Sequence, residues 1–263
     1  MILDDIIRNK RAEVEAAKRS YPPELISAQA GRIERPKDFF KAISPYGKVK
    51  IIAEIKRASP SKGILREDFN PVDIARSYGK GGASAISVLT DKKFFKGDLT
   101  YLRDVRNAVP VPLLRKDFII DPYQVYEARL YGADAILLIA AVLDKKALTE
   151  LLNLAHSLGM NAIVEVHDEK ELESALMAGS RIIGINNRNL KTFDVSLEIS
   201  RRLVKLIPKE KIVISESGIT GSEDIKRLRD DGIYVFLIGE TFMKALDLGR
   251  ELCKLLVECN GEL

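Results

Sequence analysis

Eight short apolar runs rich in β-branched residues recur along this chain, each separated from the next by a stretch that reads as helix. They occupy residues 49–55 (VKIIAEI), 83–89 (ASAISVL), 111–118 (VPLLRKDF), 133–139 (ADAILLI), 161–166 (NAIVEV), 181–186 (RIIGIN), 211–217 (KIVISES) and 234–239 (YVFLIG). Such near-continuous apolar character belongs to parallel strands covered on both faces, and parallel strands need a crossover of a dozen or more residues. The intervening stretches have helix starts at Asp121-Pro122 with Gln124, at Asp168 with Glu171, and at Asp144 and Asp194. Their ends fall at glycines within 79–82 and at Gly132, Gly159, Gly179 and Gly232. Eight strands alternating with helices predict an α/β chain folded as a (β/α)8 TIM barrel, and 263 residues suit one such domain over 1–263. A doubly wound open sheet shares the alternation, but no G-x-G-x-x-G fingerprint follows the first strand.

Residues 1–45 precede the barrel and are expected to form an N-terminal helical extension. Leu3, Ile6, Ile7, Lys10 and Val14 recur at helical spacing, the YPP tripeptide stops the helix, a second starts at Pro23, and a third short one contains Phe39 and Phe40. The extension is expected to cover one barrel opening. Lys and Arg number 42 against 38 Asp and Glu, a net +4 that suits an anionic small molecule better than nucleic acid. Cys253 and Cys259 match no zinc or redox spacing and read as ordinary thiols in a reducing compartment. The first ten residues lack a signal-peptide pattern, and the longest apolar run, residues 135–143, is far short of a membrane span. A soluble cytoplasmic protein with no membrane or nucleic-acid partner is the expectation.

In a barrel all strand C-termini converge on one mouth, so the last residues of the eight runs form one set. Strand one supplies Glu54 and Lys56, which lie two apart and so share a face. Strand three supplies Lys116 with Phe118 on the same face, and strand five ends at Glu165. Strand six ends at Asn186 with Arg188 beyond, strand seven at Glu216-Ser217-Gly218, and strand eight at Gly239-Glu240. Each alone has a bland reading as a strand-end ion pair, a solvated end or a turn residue. Together they bring lysines and glutamates into one crowded opening, where burial perturbs their pKa values unless they serve each other or a ligand. That favours an acid/base site. Gly218 and Gly239 fall after strands seven and eight, the usual barrel position for a phosphate held by backbone N–H groups. His156 and His167 have no second His or Cys nearby and read as structural, so no metal site is expected.

The segments IIAEIKRASPSKG, VLTDKKFFKGD, LLRKDFIIDPYQ, ADAILLIA, VEVHD, IGINNRNL, SESGI and LIGETFM run in order through all eight strands. With them the chain closely resembles the indole-3-glycerol-phosphate synthase family of tryptophan biosynthesis. The resemblance implies ring closure of 1-(2-carboxyphenylamino)-1-deoxyribulose 5-phosphate with loss of CO2 and water, without metal or organic cofactor. It implies Lys116 as the general acid on the substrate carbonyl and Glu165 as the acid/base partner in dehydration. Glu54 and Lys56 would orient and stabilise substrate, and Lys56 would share in proton transfer. Asn186, Arg188, Glu216 and Ser217 would hold the anthranilate end, Phe95 and Phe118 would flank its ring, and Ser59 and Pro60 would lie at the rim. Gly218, Gly239 and Glu240 would cradle the phosphate, with the Glu240 side chain turned away because a carboxylate repels phosphate. A lysine with a pKa lowered by its neighbours would suit protonation of a carbonyl. A monomer is expected, with at most weak association with other enzymes of the pathway. A Schiff-base aldolase barrel using Lys116 or Lys56, and a phosphate-sugar binding protein without catalysis, are the alternatives.

Overall fold

The computed structural model describes residues 2–189 and 192–261. Eight parallel strands, β1 Lys50–Ile55, β2 Ala85–Leu89, β3 Leu113–Lys116, β4 Ala135–Ile139, β5 Asn161–Val166, β6 Ile182–Asn186, β7 Ile212–Glu216 and β8 Val235–Ile238, pair in sequence order. β1 then pairs with β8 through Lys50 opposite Val235 and Ile52 opposite Leu237, which closes the barrel and excludes the open sheet. β3 is shorter than the apolar run that predicts it: Pro112 has no N–H to give, and the chain leaves the ladder after Lys116. The segment after β1, read as loop, contains a small antiparallel ladder of Ala58–Ser59 with Gly63–Ile64.

The side-chain period of two sorts each strand into a helix-facing and an interior set. On β1, Ile51, Ala53 and Ile55 pack against the helices, whereas Ile52 points inward. The interior set includes Leu114, Leu137, Ile163, Ile214 and Leu237 as well, all buried. Burying an aliphatic side chain of this size contributes about 1.5–3 kcal/mol. The same inward register, continued to the strand ends, changes from apolar to polar: Glu54, Lys116, Glu165, Asn186 and Glu216 follow Ile52, Leu114, Ile163, Ile182 and Ile214 at spacings of two or four. An apolar floor therefore lies beneath a charged mouth.

Asp121, Asp144 and Asp168 cap helices Pro122–Leu130, Lys145–Ser157 and Glu169–Met177 by accepting from backbone N–H groups. Gln124 and Glu171 reach past the cap residue, however. Gln124 accepts from Ile120 N and donates to Phe118 O, and Glu171 accepts from His167 N. Asp194 does not cap the next helix: Glu198–Leu203 begins after Leu197 without a side-chain cap. The expected terminators Gly82, Gly132, Gly159, Gly179 and Gly232 all have positive φ.

The extension reaches both ends of the barrel, not one. Helix α1, Ile2–Ser20, runs at the mouth, where Ile2, Leu3 and Ile6 line the cavity. α2, Pro23–Ala30, follows, and α3, Phe39–Ile43, seals the opposite end with Phe39 and Ile43 fully buried against the interior set. Arg181, just before β6, lies over the Phe40 ring at 4.3 Å. Two apolar patches on one extension reach two openings because residues 31–38 run between them along the barrel, tied at Lys37 N to Asp134 Oδ1 at 2.7 Å.

Candidate active site

Every residue read from the sequence as a site residue lines one cavity at the C-terminal mouth. At its centre Lys116 Nζ lies 3.4 Å from Glu165 Oε2 and 3.7 Å from Glu216 Oε2. Beside them Lys56 Nζ lies 2.6 Å from Glu54 Oε1. Glu54, Glu165 and Glu216 are all buried. Burial disfavours each charge, and the neighbours decide how each group responds. Burial opposes the ammonium of Lys116, yet the charges of Glu165, Glu216 and Glu54 outweigh it and hold the pKa above the ordinary lysine range. The expected lowering of the Lys116 pKa is thus overturned, because its neighbours are carboxylates rather than cations. Glu165 is held below the ordinary range despite burial by Lys116, by His167 and by an Asn186 hydrogen bond. Glu216 is pushed up to about 8, first by burial and then by the charges of Glu165 and Glu54. Near neutral pH this centre contains an ammonium, a carboxylate and a carboxylic acid side by side.

This distribution has a consequence for stability. Glu216 binds its proton more tightly in the folded chain than in the unfolded one, where its pKa is near 4.5. It therefore contributes stability that is complete below that value and lost as pH rises through about 8. Glu216→Gln, neutral at every pH, is expected to show a flatter decline of the urea midpoint between pH 5 and 8 than the unsubstituted chain. Parallel profiles would show that the carboxyl is ionised throughout.

Small residues set the shape of the opening. Ser217 at φ +67° and Gly218 at φ +81° follow β7 as two consecutive left-handed residues, a conformation that costs a side-chain-bearing residue energy. Buried Asn187 braces it by donating to Ser215 Oγ at 2.9 Å and Ser217 O at 3.0 Å. A Cβ on Gly239 would stand 2.5 Å from Glu54 Oε1, and one on Gly184 would collide with Glu216 Oε1. Glu240 Oε1 lies 2.6 Å from Lys244 Nζ and Oε2 3.5 Å from Arg188, so the carboxylate is directed at cations. Thr241 Oγ1 ties the β8 loop to Ile219 O of the β7 loop at 2.7 Å.

The aromatic wall is wired to α1. Phe95 and Phe118 have ring centroids 6.0 Å apart. Asp91 caps the turn Lys92–Phe95 through Phe94 N and Phe95 N, and Asp117 accepts from Phe118 N. Lys10 of α1 reaches both, at 3.0 Å from Asp91 Oδ2 and 2.8 Å from Asp117 Oδ1. Arg115 and Lys10 hold Asp117 at about 2, against the upward push of burial.

Sequence reasoning missed Lys10, Gly184, Asn187 and His167 as contributors. Gly184 had a signal, since glycine inside a strand marks a close approach. Lys10 had one too, as a charge on the apolar stripe of a helix. Asn187 and His167 had none beyond their place in strand-end motifs. His167 lies beside Glu165, with Nε2 3.6 Å from Glu165 Oε1 and Nδ1 3.0 Å from Glu171 Oε2. Among the described residues no group of three or more His, Cys, Asp or Glu is arranged to hold a metal ion, and no helix is long and apolar enough to cross a membrane.

The chain matches the family model described as indole-3-glycerol phosphate synthase over residues 3–255. It is 48% identical over 254 residues to the indole-3-glycerol phosphate synthase of Acetivibrio thermocellus, covering 96% of this chain and 98% of that one. The Burkholderia multivorans protein of the same name is 49% identical over 257 residues, covering 97% and 98%. Among solved structures, 3-hexulose-6-phosphate synthase from Salmonella typhimurium superposes with a TM-score of 0.65 at 14% identity, covering 80% of this chain and 98% of that one. KGPDC from Streptococcus mutans gives 0.63 at 13% identity, covering 81% and 98%. At such identities these two structures share the barrel alone.

Proposed function

The chain belongs to the indole-3-glycerol phosphate synthase family, and from that premise we propose how its mouth residues divide the reaction. It is a carboxy-lyase of tryptophan biosynthesis: it closes the indole ring of 1-(2-carboxyphenylamino)-1-deoxyribulose 5-phosphate, releasing CO2 and water. The observation that supports our division is the placement of Lys116 between Glu165 and Glu216, with the Glu54–Lys56 pair beside it in one cavity.

As the ring carbon bearing the carboxylate attacks the ketone, the carbonyl oxygen gains electron density. We assign Lys116 to protonate it. The raised pKa does not prevent this, because the oxygen becomes alkoxide-like and far more basic than a ketone as the C–C bond forms. Loss of CO2 restores the electron pair to the ring. In the dehydration that follows, Glu165 acts as the acid/base partner. Lys56, held by Glu54, orients the substrate and shares in proton transfer. Arg188 faces the substrate carboxylate, while Asn186, Glu216 and Ser217 position the anthranilate end between the Phe95 and Phe118 rings. Ser59 and Pro60 form the rim. The phosphate lies against the backbone N–H groups around Gly218, Gly239 and Glu240, which the left-handed turn at Ser217 and Gly218 helps to present. We read the working unit as the monomer, which its mass in solution checks.

The chain has no tryptophan, so indole emission stands out against tyrosine alone. Adding the carboxyphenylamino-deoxyribulose phosphate is expected to give indole product in excess of enzyme. Bound ligand without an indole signal would instead indicate a non-catalytic binding barrel. Gly218→Val tests the phosphate placement. A β-carbon there would stand 2.5 Å from Val195 Cγ1, so the turn must shift, and a lost phosphate contact of about 1.4 kcal/mol would raise KM about tenfold. An unchanged KM would remove the phosphate from this turn.

A further inference from the structure

His167 follows β5 with the same inward register as Glu165, two residues earlier, and its side chain is largely buried. Glu171 Oε2 accepts from both His167 N, at 2.8 Å, and the ring Nδ1, at 3.0 Å, which places a proton on Nδ1 and locks the ring orientation. The other nitrogen, Nε2, is buried without a hydrogen-bond partner and faces Glu165 Oε1 at 3.6 Å. A neutral ring in this pose would aim a lone pair at a carboxylate oxygen. A ring protonated on Nε2 replaces that repulsion with attraction.

We propose that His167 is a positioning residue for Glu165: anchored by Glu171, its ring serves as a second cationic partner that keeps Glu165 ionised when Lys116 gives up its proton. The need for one follows from the neighbours. Glu165 faces Lys116 from β3, Asn186 from β6 and Glu216 from β7, with which it shares a hydrogen bond. Once the ammonium is spent, two buried carboxyl groups in contact would share a proton and the base would be lost. His167 prevents this. The surrounding charges agree: burial lowers the ring's pKa, but the Glu171 hydrogen bond and the charges of Glu165, Glu171 and Glu216 together raise it. His156, at the exposed end of helix Lys145–Ser157, is shifted the opposite way, first by partial desolvation and then by the charge of Arg181.

This inference rests on Glu165 being the acid/base partner, and the test separates the two. The chain has two histidines, so a ¹H–¹⁵N imidazole titration has two rings to assign. One is expected to titrate above 6.5 and to vanish in His167→Asn. In Glu165→Gln and in Glu171→Gln that midpoint should fall by about one unit, the usual effect of losing one nearby opposite charge. In His167→Asn the acid limb of the kcat/KM profile should move up by about one unit as Glu165 loses a cation. A purely structural ring would lower the rate equally at every pH. A midpoint indifferent to Glu165→Gln, with that variant inactive, overturns the role of His167 while sparing that of Glu165. Full turnover by Glu165→Gln overturns both. The titrations of the unsubstituted chain and Glu165→Gln decide the matter even where His167→Asn does not fold.

Discussion

Lys116→Ala is expected to lower turnover by about 10²–10⁴-fold, the range that a positioned general acid contributes, while phosphate-ligand binding survives. Lys116 is the ammonium in contact with both Glu165 and Glu216, at 3.4 and 3.7 Å, whereas Lys56 is engaged with Glu54 at 2.6 Å. In the proposed reading the phosphate lies on the β7 and β8 loops and uses backbone groups, so removing a β3 side chain should leave it in place. The fold should tolerate the change, because Glu216 is already held protonated below about pH 8 and Glu165 retains His167 and Asn186. Single-turnover indole emission measures the loss, and binding of inorganic phosphate measures what remains. Turnover within about threefold of the unsubstituted chain would remove Lys116 from the chemistry. Loss of the folded state would make it structural.

Lys10→Ala is expected to destabilise the fold by about 3 kcal/mol, the lower end of the cost of breaking a buried ion pair. The Lys10 side chain is 4% exposed and lies within 3.0 Å of Asp91, Asp117 and Glu13. Arg115, 3.1 Å from Asp117, still compensates that carboxylate, but Asp91 is left buried without its cation. For a chain of this size the melting temperature should fall by about 6–12 °C. Lys10→Met, which keeps the packing and not the charge, should lose nearly as much. KM should rise as well, because Asp91 holds the turn that carries Phe95 and α1 supplies Ile2, Leu3 and Ile6 to the cavity wall. A melting temperature unchanged in both variants would show that the aspartates are satisfied without α1.

Much of the site was legible because barrel geometry converts a local pattern into a spatial one. A side-chain period of two, read from apolar Ile52, Ile163 and Ile214, leads directly to Glu54, Glu165 and Glu216 at the same face of their strands. Other features depend on residues distant in the chain. Lys10 reads as one polar residue on a helical stripe until the fold carries it to Asp91 and Asp117. The left-handed Ser217 reads as an ordinary turn serine until Asn187 is seen bracing it. The lowered lysine pKa failed for the same reason, since its sign depends on which charges close around Lys116.

The residue pattern by itself determined the eight-stranded α/β barrel and the residue types gathered at its mouth, because hydrophobic periodicity and strand direction are local properties. Only the tertiary structure decided which group holds a proton and which loses it, and which helix holds the aromatic wall. Those depend on burial and on charge separations of a few ångströms between residues far apart in the chain, and Coulomb energies at such distances outweigh any intrinsic side-chain preference.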